Sequence, residues 1–353
     1  VLAACGLDRL VGDPRWCLHP VVVMGWWITG LRRLAEAWAG DAPGKLRLAG
    51  ALITLLLVGG SGLAGWCLEQ LVRELATRGP VAAGLSLATL TFALASALAG
   101  RSLEQAVQQV LNRLPPDSVQ RVQNPEAQNT SSPESLMAAR QALAWIVGRD
   151  TNGLDRAEIL RATAETASEN AVDGLFAPLF WMLVGAGICS LNPALPGPLA
   201  LAWGFKAAST LDSMLGYRRG RLRWLGTAGA RLDDLLVWLP CRLAALSLAV
   251  AAGHPGHCGA LLAAALREGA ADPSPNAGVS QAAYAHAAGV QLGGSNRYGG
   301  QIRSKPLLAK GLPPADADAV QRILALNRRL ETLWLAIAGT MAAAVSFITK
   351  TLS

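Results

Sequence analysis

Residues 48–68 read LAGALITLLLVGGSGLAGWCL, an unbroken apolar run with no charged side chain. About 20 apolar residues in helical form cross the hydrocarbon of a bilayer, so this run decides the class of fold. Residues 81–100, VAAGLSLATLTFALASALAG, repeat the pattern, and Glu69, Arg73, Glu74 and Arg78 fill the link between them. A backbone in lipid has to pair its own N–H and C=O groups, which favours helices. The two runs therefore predict a membrane hairpin over residues 47–100.

Outward from this hairpin the alternation continues. Apolar sequence returns at Leu175–Leu191 and Leu195–Ala208, turning at the uncharged Asn192–Pro198; this predicts a second membrane hairpin within 172–212. Leu235–Gly253 is apolar but contains Pro240 and Arg242, and Leu261–Leu266 is too short to cross alone. Residues 235–266 thus read as a membrane or re-entrant pair, and 332–349 as a final membrane helix. The segments 101–171 and 267–331 are polar; within the first, Pro115–Pro133 reads as a loop and Ser132 as a helix cap before Pro133. The expected architecture is all-α, a polytopic membrane helical bundle forming one domain over 1–353. Composition agrees, with 16% charged residues against about 25% in soluble domains.

The net charge of +7 is carried mainly by arginine, with Arg218, Arg219, Arg221, Arg223 and Arg231 crowded into one loop. Loops rich in Lys and Arg stay on the cytoplasmic side. Counting spans puts the N-terminal segment, 101–170 and this basic loop on that face of a bacterial inner membrane. Residues 267–331 join them if 235–266 goes in and returns. No nucleic-acid recognition motif accompanies the arginines, so nucleic acid is not expected as a partner. Six cysteines stand singly without a CxxC pair, as small buried thiols in a reducing compartment do. No cleavable signal peptide is expected, because Asp8 and Arg9 quickly follow the short run Val1–Leu7. The run begins mid-pattern, as part of a longer first helix would.

Several polar clusters could carry chemistry. Arg161, Glu165, Glu169 and Asp173 recur every four residues, one helical turn apart. Adjacent glutamates on one face call for positive charge, either a divalent cation or an ammonium; a solvated face with an Arg161–Glu165 pair is the plainer reading. Asn170 adds a polar group beside them. Arg149, Asp150 and Thr151 lie in a glycine-flanked turn that can present a guanidinium and a carboxylate together. Asp212 and Tyr217 precede the basic loop, and Arg231, Asp233 and Asp234 follow it. Arg242, inside an apolar run, is a functional candidate by its cost in lipid. Ser274 and Asn276 in a Pro-rich turn, with Gly293, Gly294 and Tyr298 in glycine-rich turns, could expose N–H groups to an anion. No P-loop sequence occurs. His254, His257 and Cys258 invite a zinc reading but lack a fourth ligand at the usual spacing. His19 stands near Asp8 and Asp13.

Taken in order, these clusters resemble one family. LDRLVGDP and HPVVVMG (within Leu7–Gly25), VGRDT (Val147–Thr151), ETASENAVDGLFAPLFW (Glu165–Trp181) and FKAASTLDSMLGY (Phe205–Tyr217) are followed by ARLDDLLVWLPCRL (Ala230–Leu243), SPNAG (Ser274–Gly278) and LGG with YGG (Leu292–Gly300). The sequence is similar, over nearly its whole length, to the CobD/CbiB family of cobalamin-biosynthesis membrane proteins. It departs at Ser209 and Val237, where the family usually has Asn, and at Gln281, where an acidic residue is frequent. The resemblance implies an amide-forming ligase that joins adenosylcobyric acid, a corrinoid, to 1-amino-2-propanol O-phosphate or a close amino-alcohol phosphate. It also implies ATP and Mg²⁺. On this basis Glu165, Glu169, Asn170 and Asp173 are expected to be catalytic. Glu165, Glu169, Asp173 and Asp233 are candidate Mg²⁺ ligands. Substrate contacts are expected from Asp13, His19, Arg149, Asp150, Thr151, Lys206, Asp212, Tyr217, Arg231, Asp234, Arg242, Ser274, Asn276, Gly293, Gly294 and Tyr298. Other cobalamin-pathway membrane proteins are possible partners. A corrinoid transporter or scaffold, or a non-catalytic subunit of a ligase, would share the membrane segments.

Overall fold

The computed structural model describes residues 1–13, 19–115 and 133–352. Cys17, most of the Pro115–Pro133 loop and the Ser132 cap lie outside the described residues. The fold is helical, an all-α membrane bundle whose sheet is a single two-stranded hairpin among the described residues. The chain forms two compact units, the first from Val1–Arg101 and Asp173–Pro240, the second from Ser102–Val172 and Cys241–Ser353.

In the first unit α1 (Leu2–Val11) precedes α2 (Pro20–Ala39), α3 (Pro43–Ala76) and α4 (Pro80–Ala95). Helices α2, α3 and α4 each open on a proline, whose fixed φ and missing N–H suit the first turn. α3 is 34 residues long, about 51 Å at 1.5 Å per residue. Its Leu46, Ile53 and Leu57 join Ile28 of α2 and Leu211 and Leu215 of a later helix in one apolar core. Leu48, Leu52, Leu55, Leu56 and Leu63 are exposed on the same helix, the face a bilayer would cover. Small residues let backbones meet: a Cβ at Gly65 would stand 2.9 Å from the Cα of Ala200. Such close approach is how helices associate where lipid removes the hydrophobic drive.

The first unit resumes at Asp173, within a π-turn, Val172–Phe176, and continues with α8 (Ala177–Leu191), α9 (Pro198–Leu215), the short α10 (Leu222–Leu225) and α11 (Thr227–Ala251), which leaves this unit after Pro240. Two prolines explain local irregularities. Pro178 cannot donate to Gly174 four residues back, and the Gly174 carbonyl instead accepts the Ala99 N–H at 2.8 Å. Pro240 likewise frees the Leu236 carbonyl, which accepts the Trp181 indole N–H at 3.1 Å. Buried Glu69 of α3 caps α9: its carboxylate accepts the N–H of Gly197 at 2.9 Å and of Leu199 at 2.7 Å, where a helix N-terminus favours negative charge.

In the second unit α5 (Gly100–Asn112, entering the unit at Ser102), α6 (Pro133–Ala144) and α7 (Arg156–Ala171) share a core of Val110, Leu143, Ile159 and Ala162. Asp155 starts α7 with a capping box, accepting the Glu158 N–H at 2.7 Å while the Glu158 carboxylate accepts its own N–H at 2.9 Å. α12 (Cys258–Gly269), α13 (Ala277–Ala288), β1 (Leu292–Tyr298), β2 (Gln301–Leu308) and α14 (Ala317–Leu352) complete it. The glycine-rich stretch that the sequence marks only as tight turns is therefore an antiparallel hairpin, with a register shift between Leu292 and Gly294. Its strand pattern was concealed because β2 is exposed along nearly all its length.

Among the described residues, three helices are long and apolar enough to cross a membrane: Pro43–Ala76, the continuous run Arg156–Leu191, and Thr227–Ala251. α4 and α5 make a fourth if their 46° bend is one broken span. Two substitutions test the packing. Gly65→Leu is expected to lower the thermal transition in detergent and to broaden the size-exclusion peak, because the Ala200 backbone cannot withdraw. Glu69→Ala strips two buried N–H groups of their acceptor, about 1–3 kcal/mol each, and should cost more than Glu69→Gln, which keeps one acceptor oxygen.

Candidate functional site

The second unit gathers polar side chains around Glu165, which is 1% exposed. The α7 register brings Arg161 one turn before it, and Arg161 Nη1 donates to Glu165 Oε1 at 3.0 Å. Arg149, from the glycine-flanked turn, donates to Oε2. The Gly293 N–H donates to Oε1 at 2.9 Å. A buried carboxylate with two guanidiniums and an amide has its charge and lone pairs answered.

Both arginines bind the hairpin as well. Arg149 Nη1 donates to Asn296 Oδ1 at 2.6 Å and Arg161 Nη1 to the same oxygen at 3.1 Å. Arg161 also donates to the carbonyls of Gly293 at 2.8 Å and Ser295 at 2.9 Å. Gly293 has φ +85°, and a Cβ there would lie 2.0 Å from the Pro306 carbonyl oxygen; only glycine fits both demands. Next in sequence, Asp150 accepts the N–H groups of Gly299 at 3.1 Å and Gly300 at 2.8 Å, and its own N–H donates to the Arg297 carbonyl at 2.8 Å. These glycines, both at positive φ, form the two-residue turn that a hairpin's twist prefers. Thus Arg149, Asp150, Arg161 and Glu165 clamp the hairpin through Gly293, Asn296 and the Gly299–Gly300 turn, and Gly294 and Tyr298 lie on the clamped strand β1. Thr151, next to Asp150 in sequence, is buried.

One turn further along α7, Glu169 accepts Gln281 Nε2–H at 2.7 Å and feels Lys305, Asp272 and Glu165 electrostatically. Gln281 is one of the departures noted in the sequence; as an amide it donates where an ionised acid could not. Asn170 Nδ2 donates to Thr166 Oγ1 at 3.0 Å, so its side chain is tied to its own helix. Lys305 Nζ bonds Asp272 Oδ2 at 2.7 Å. Burial disfavours the Lys305 charge, but the Asp272 carboxylate, aided by Glu169, outweighs it and holds the ammonium above the ordinary lysine range. Arg242 reaches the Pro-rich turn, donating to Asn276 Oδ1 and, at 2.8 Å, to the Pro275 carbonyl. Ser274 Oγ accepts the N–H of Asn276 and of Ala277, each at 3.3 Å.

The first unit holds a different arrangement. Lys206 of α9 is half-buried, and the carboxylates of Asp13, Asp173, Asp233 and Asp8 lie close enough to act on its charge. Asp233 in turn feels Asp212 and Asp234, and its Oδ1 is buried without a hydrogen-bond partner. His19 Nε2 lies 3.2 Å from Asp13, while His19 Nδ1 accepts the Val21 N–H at 3.3 Å as the cap of α2. Tyr217 and Arg231 are exposed, with the Arg219 guanidinium 5.0 Å from the Tyr217 ring.

Oxygen-rich Asp233 and its neighbours offer the donors that Mg²⁺ prefers; Glu165, already holding three donors, does not. Among the described residues no three His, Cys, Asp or Glu side chains are grouped to hold an ion. Sequence reasoning overlooked Asn296 and Lys305. Neither has a helical period to reveal it, and Asn296 shows only as a polar residue between the two glycine pairs.

Comparison with known proteins agrees with the motif order. The family described as CobD/CbiB protein matches residues 1–327. The cobalamin biosynthesis protein CobD of Synechocystis sp. is 40% identical over 94% of this chain and 88% of its own length. CobD of Geobacter metallireducens is 37% identical over 97% and 95%, and CbiB of Salmonella typhimurium 37% identical over 94% and 93%. No solved structure matches. With membrane-length helices and a family match over residues 1–327, the chain belongs to the CobD/CbiB family of cobalamin biosynthesis proteins.

Proposed function

We propose that the chain is the amide-forming ligase of its pathway, joining a propionate of adenosylcobyric acid to the amine of aminopropanol O-phosphate or a close analogue. What supports this is the Glu165 network. Family motifs scattered over 150 residues of sequence are spent on fixing one hairpin against one helix, an investment in rigid positioning. A transporter gating a pathway would have less use for it.

A free carboxylate is a poor acyl donor. ATP would phosphorylate it with loss of ADP; the amine would then attack the acyl carbon, lose a proton, and phosphate would leave. When bound, Mg²⁺ supplies charge neutralisation for the phosphates, and Asp233 with one of its neighbours Asp212 and Asp234 would hold it. Glu169, held by a neutral amide on one oxygen, would accept the proton of the amine. Arg242 and the Ser274–Asn276 turn supply donors for an anionic group. Glu165 acts through others: it positions Arg149, Arg161 and the hairpin, and is not itself proposed as a metal ligand. The bilayer proposed is the bacterial inner membrane, with the basic loop on its cytoplasmic face.

Purified full-length chain in detergent, given adenosylcobyric acid, aminopropanol phosphate, ATP and Mg²⁺, is expected to form the amide without another protein. Product only on adding a partner would mark a non-catalytic subunit; corrinoid binding without product would mark a carrier. Asp233→Asn is expected to raise the Mg²⁺ concentration needed for half-maximal rate at least tenfold with the fold intact. Glu165→Gln leaves buried guanidiniums short of an anion, costs about 3–5 kcal/mol, and should speed hydrogen exchange in residues 292–308 along with loss of turnover. For Lys305, whose folded pKa is raised, the ion pair's stabilisation is fully present below the unfolded value of about 10.4 and is lost as pH rises through the folded one. Lys305→Met should therefore lower the unfolding free energy at pH 8 by about 1–3 kcal/mol, with the gap to wild type closing only in stronger alkali.

A further inference from the structure

Three of the chain's four histidines line a single cavity of about 570 Å³ in the second unit. It lies where α11 ends and α12 begins, walled by His254, His257, Ala252, Ala264, His286 and Gly289 among others. Its remaining lining is alanine and one leucine, so the surface is apolar and close to the backbone, and the imidazoles are its polar side chains. None of the residues proposed for the amide-forming reaction lines it.

His286 is held differently from the other two. Its Nε2 lies 3.0 Å from Glu268 Oε1, and Glu268 Oε2 accepts the Ala309 N–H at 2.8 Å. A carboxylate anchored in this way only accepts hydrogen bonds, so Nε2 carries the hydrogen and the neutral ring keeps its electron pair on Nδ1. The carboxylate also fixes the orientation of the ring, the arrangement that metal-binding imidazoles use. His254 and His257 instead stack edge to face at 5.9 Å in an exposed turn. No three ligating side chains gather to chelate a free ion among the described residues. One basic nitrogen on an apolar, small-residue surface suits a metal whose other positions are already filled by a flat organic macrocycle.

We propose that this cavity receives one face of the corrinoid and that His286 Nδ1 becomes an axial ligand of its cobalt. The inference rests on the corrinoid reading above. The exchange is redox-neutral: the Nδ1 lone pair forms the Co–N bond, and the water on that face leaves with its own electron pair. Docking through cobalt would fix the macrocycle's orientation, and so the position of the propionate on its rim, without spending any group needed for acyl transfer.

The test uses the full chain in detergent with cob(II)inamide, a corrinoid that carries no nucleotide base of its own. Electron paramagnetic resonance of the wild-type complex is expected to show the threefold splitting of a single axial nitrogen. The splitting should vanish in His286→Ala and His286→Gln, the latter retaining a donor for Glu268 should the alanine variant fold poorly. It should persist in His254→Ala and His257→Ala. Glu268→Gln is expected to weaken corrinoid affinity about 10–100-fold. A wild-type complex without nitrogen splitting, or splitting that survives in either His286 variant, overturns the proposal. Amide formation from adenosylcobyric acid, measured alongside, separates the two ideas: turnover without splitting sinks the axial ligand alone, and absence of both corrinoid binding and turnover sinks the corrinoid reading with it.

Discussion

A carboxylate removed from water has to be met by N–H groups or positive charge, and this chain is organised around two that are. Glu69 accepts two amides at the start of α9, and Glu165 accepts two guanidiniums and the Gly293 amide. Each joins segments more than 100 residues apart. In a medium with little water, an unmet charge costs several kcal/mol, so these contacts select one arrangement of the helices where apolar packing alone would tolerate several. Their geometry is shared with the prolines: Pro178 and Pro240 each release a carbonyl, and each carbonyl finds a specific donor.

The same principle separates the two polar sets. Glu165 has both its oxygens met by guanidiniums and an amide, which ties the hairpin to α7. In the first unit Asp233 keeps a buried oxygen without a hydrogen-bond partner, beside a lysine and further aspartates. A carboxylate with both oxygens met positions its partners; one with an unmet oxygen has capacity for a ligand. That contrast underlies the proposal that Glu165 positions and that the Asp233 neighbourhood holds the cation.

The helical class was legible in residues 48–68 because a charge-free run as long as a bilayer is thick suits little besides a membrane helix. The four-residue stripe on α7 was legible too, since 3.6 residues per turn puts Arg161, Glu165 and Glu169 on one side. What those side chains touch was not. Glu165 looked like a metal ligand because spacing reports which residues share a face, whereas its true neighbours, Arg149 and Gly293, come from other segments. The hairpin escaped notice for a related reason: its β2 strand buries almost nothing, so no alternation marks it, and its register is imposed by Asp150 and the glycines.

The interleaving of the two units bears on how the protein is made. Emerging from the ribosome, Glu165 follows Arg149 and Arg161 and can pair with both at once, but Gly293 arrives 128 residues later. In the interval the nascent chain has to complete the whole return through residues 173–240, the second half of the first unit. Two of the three groups that meet the acid therefore precede the hairpin in the order of synthesis, and the third comes only with it.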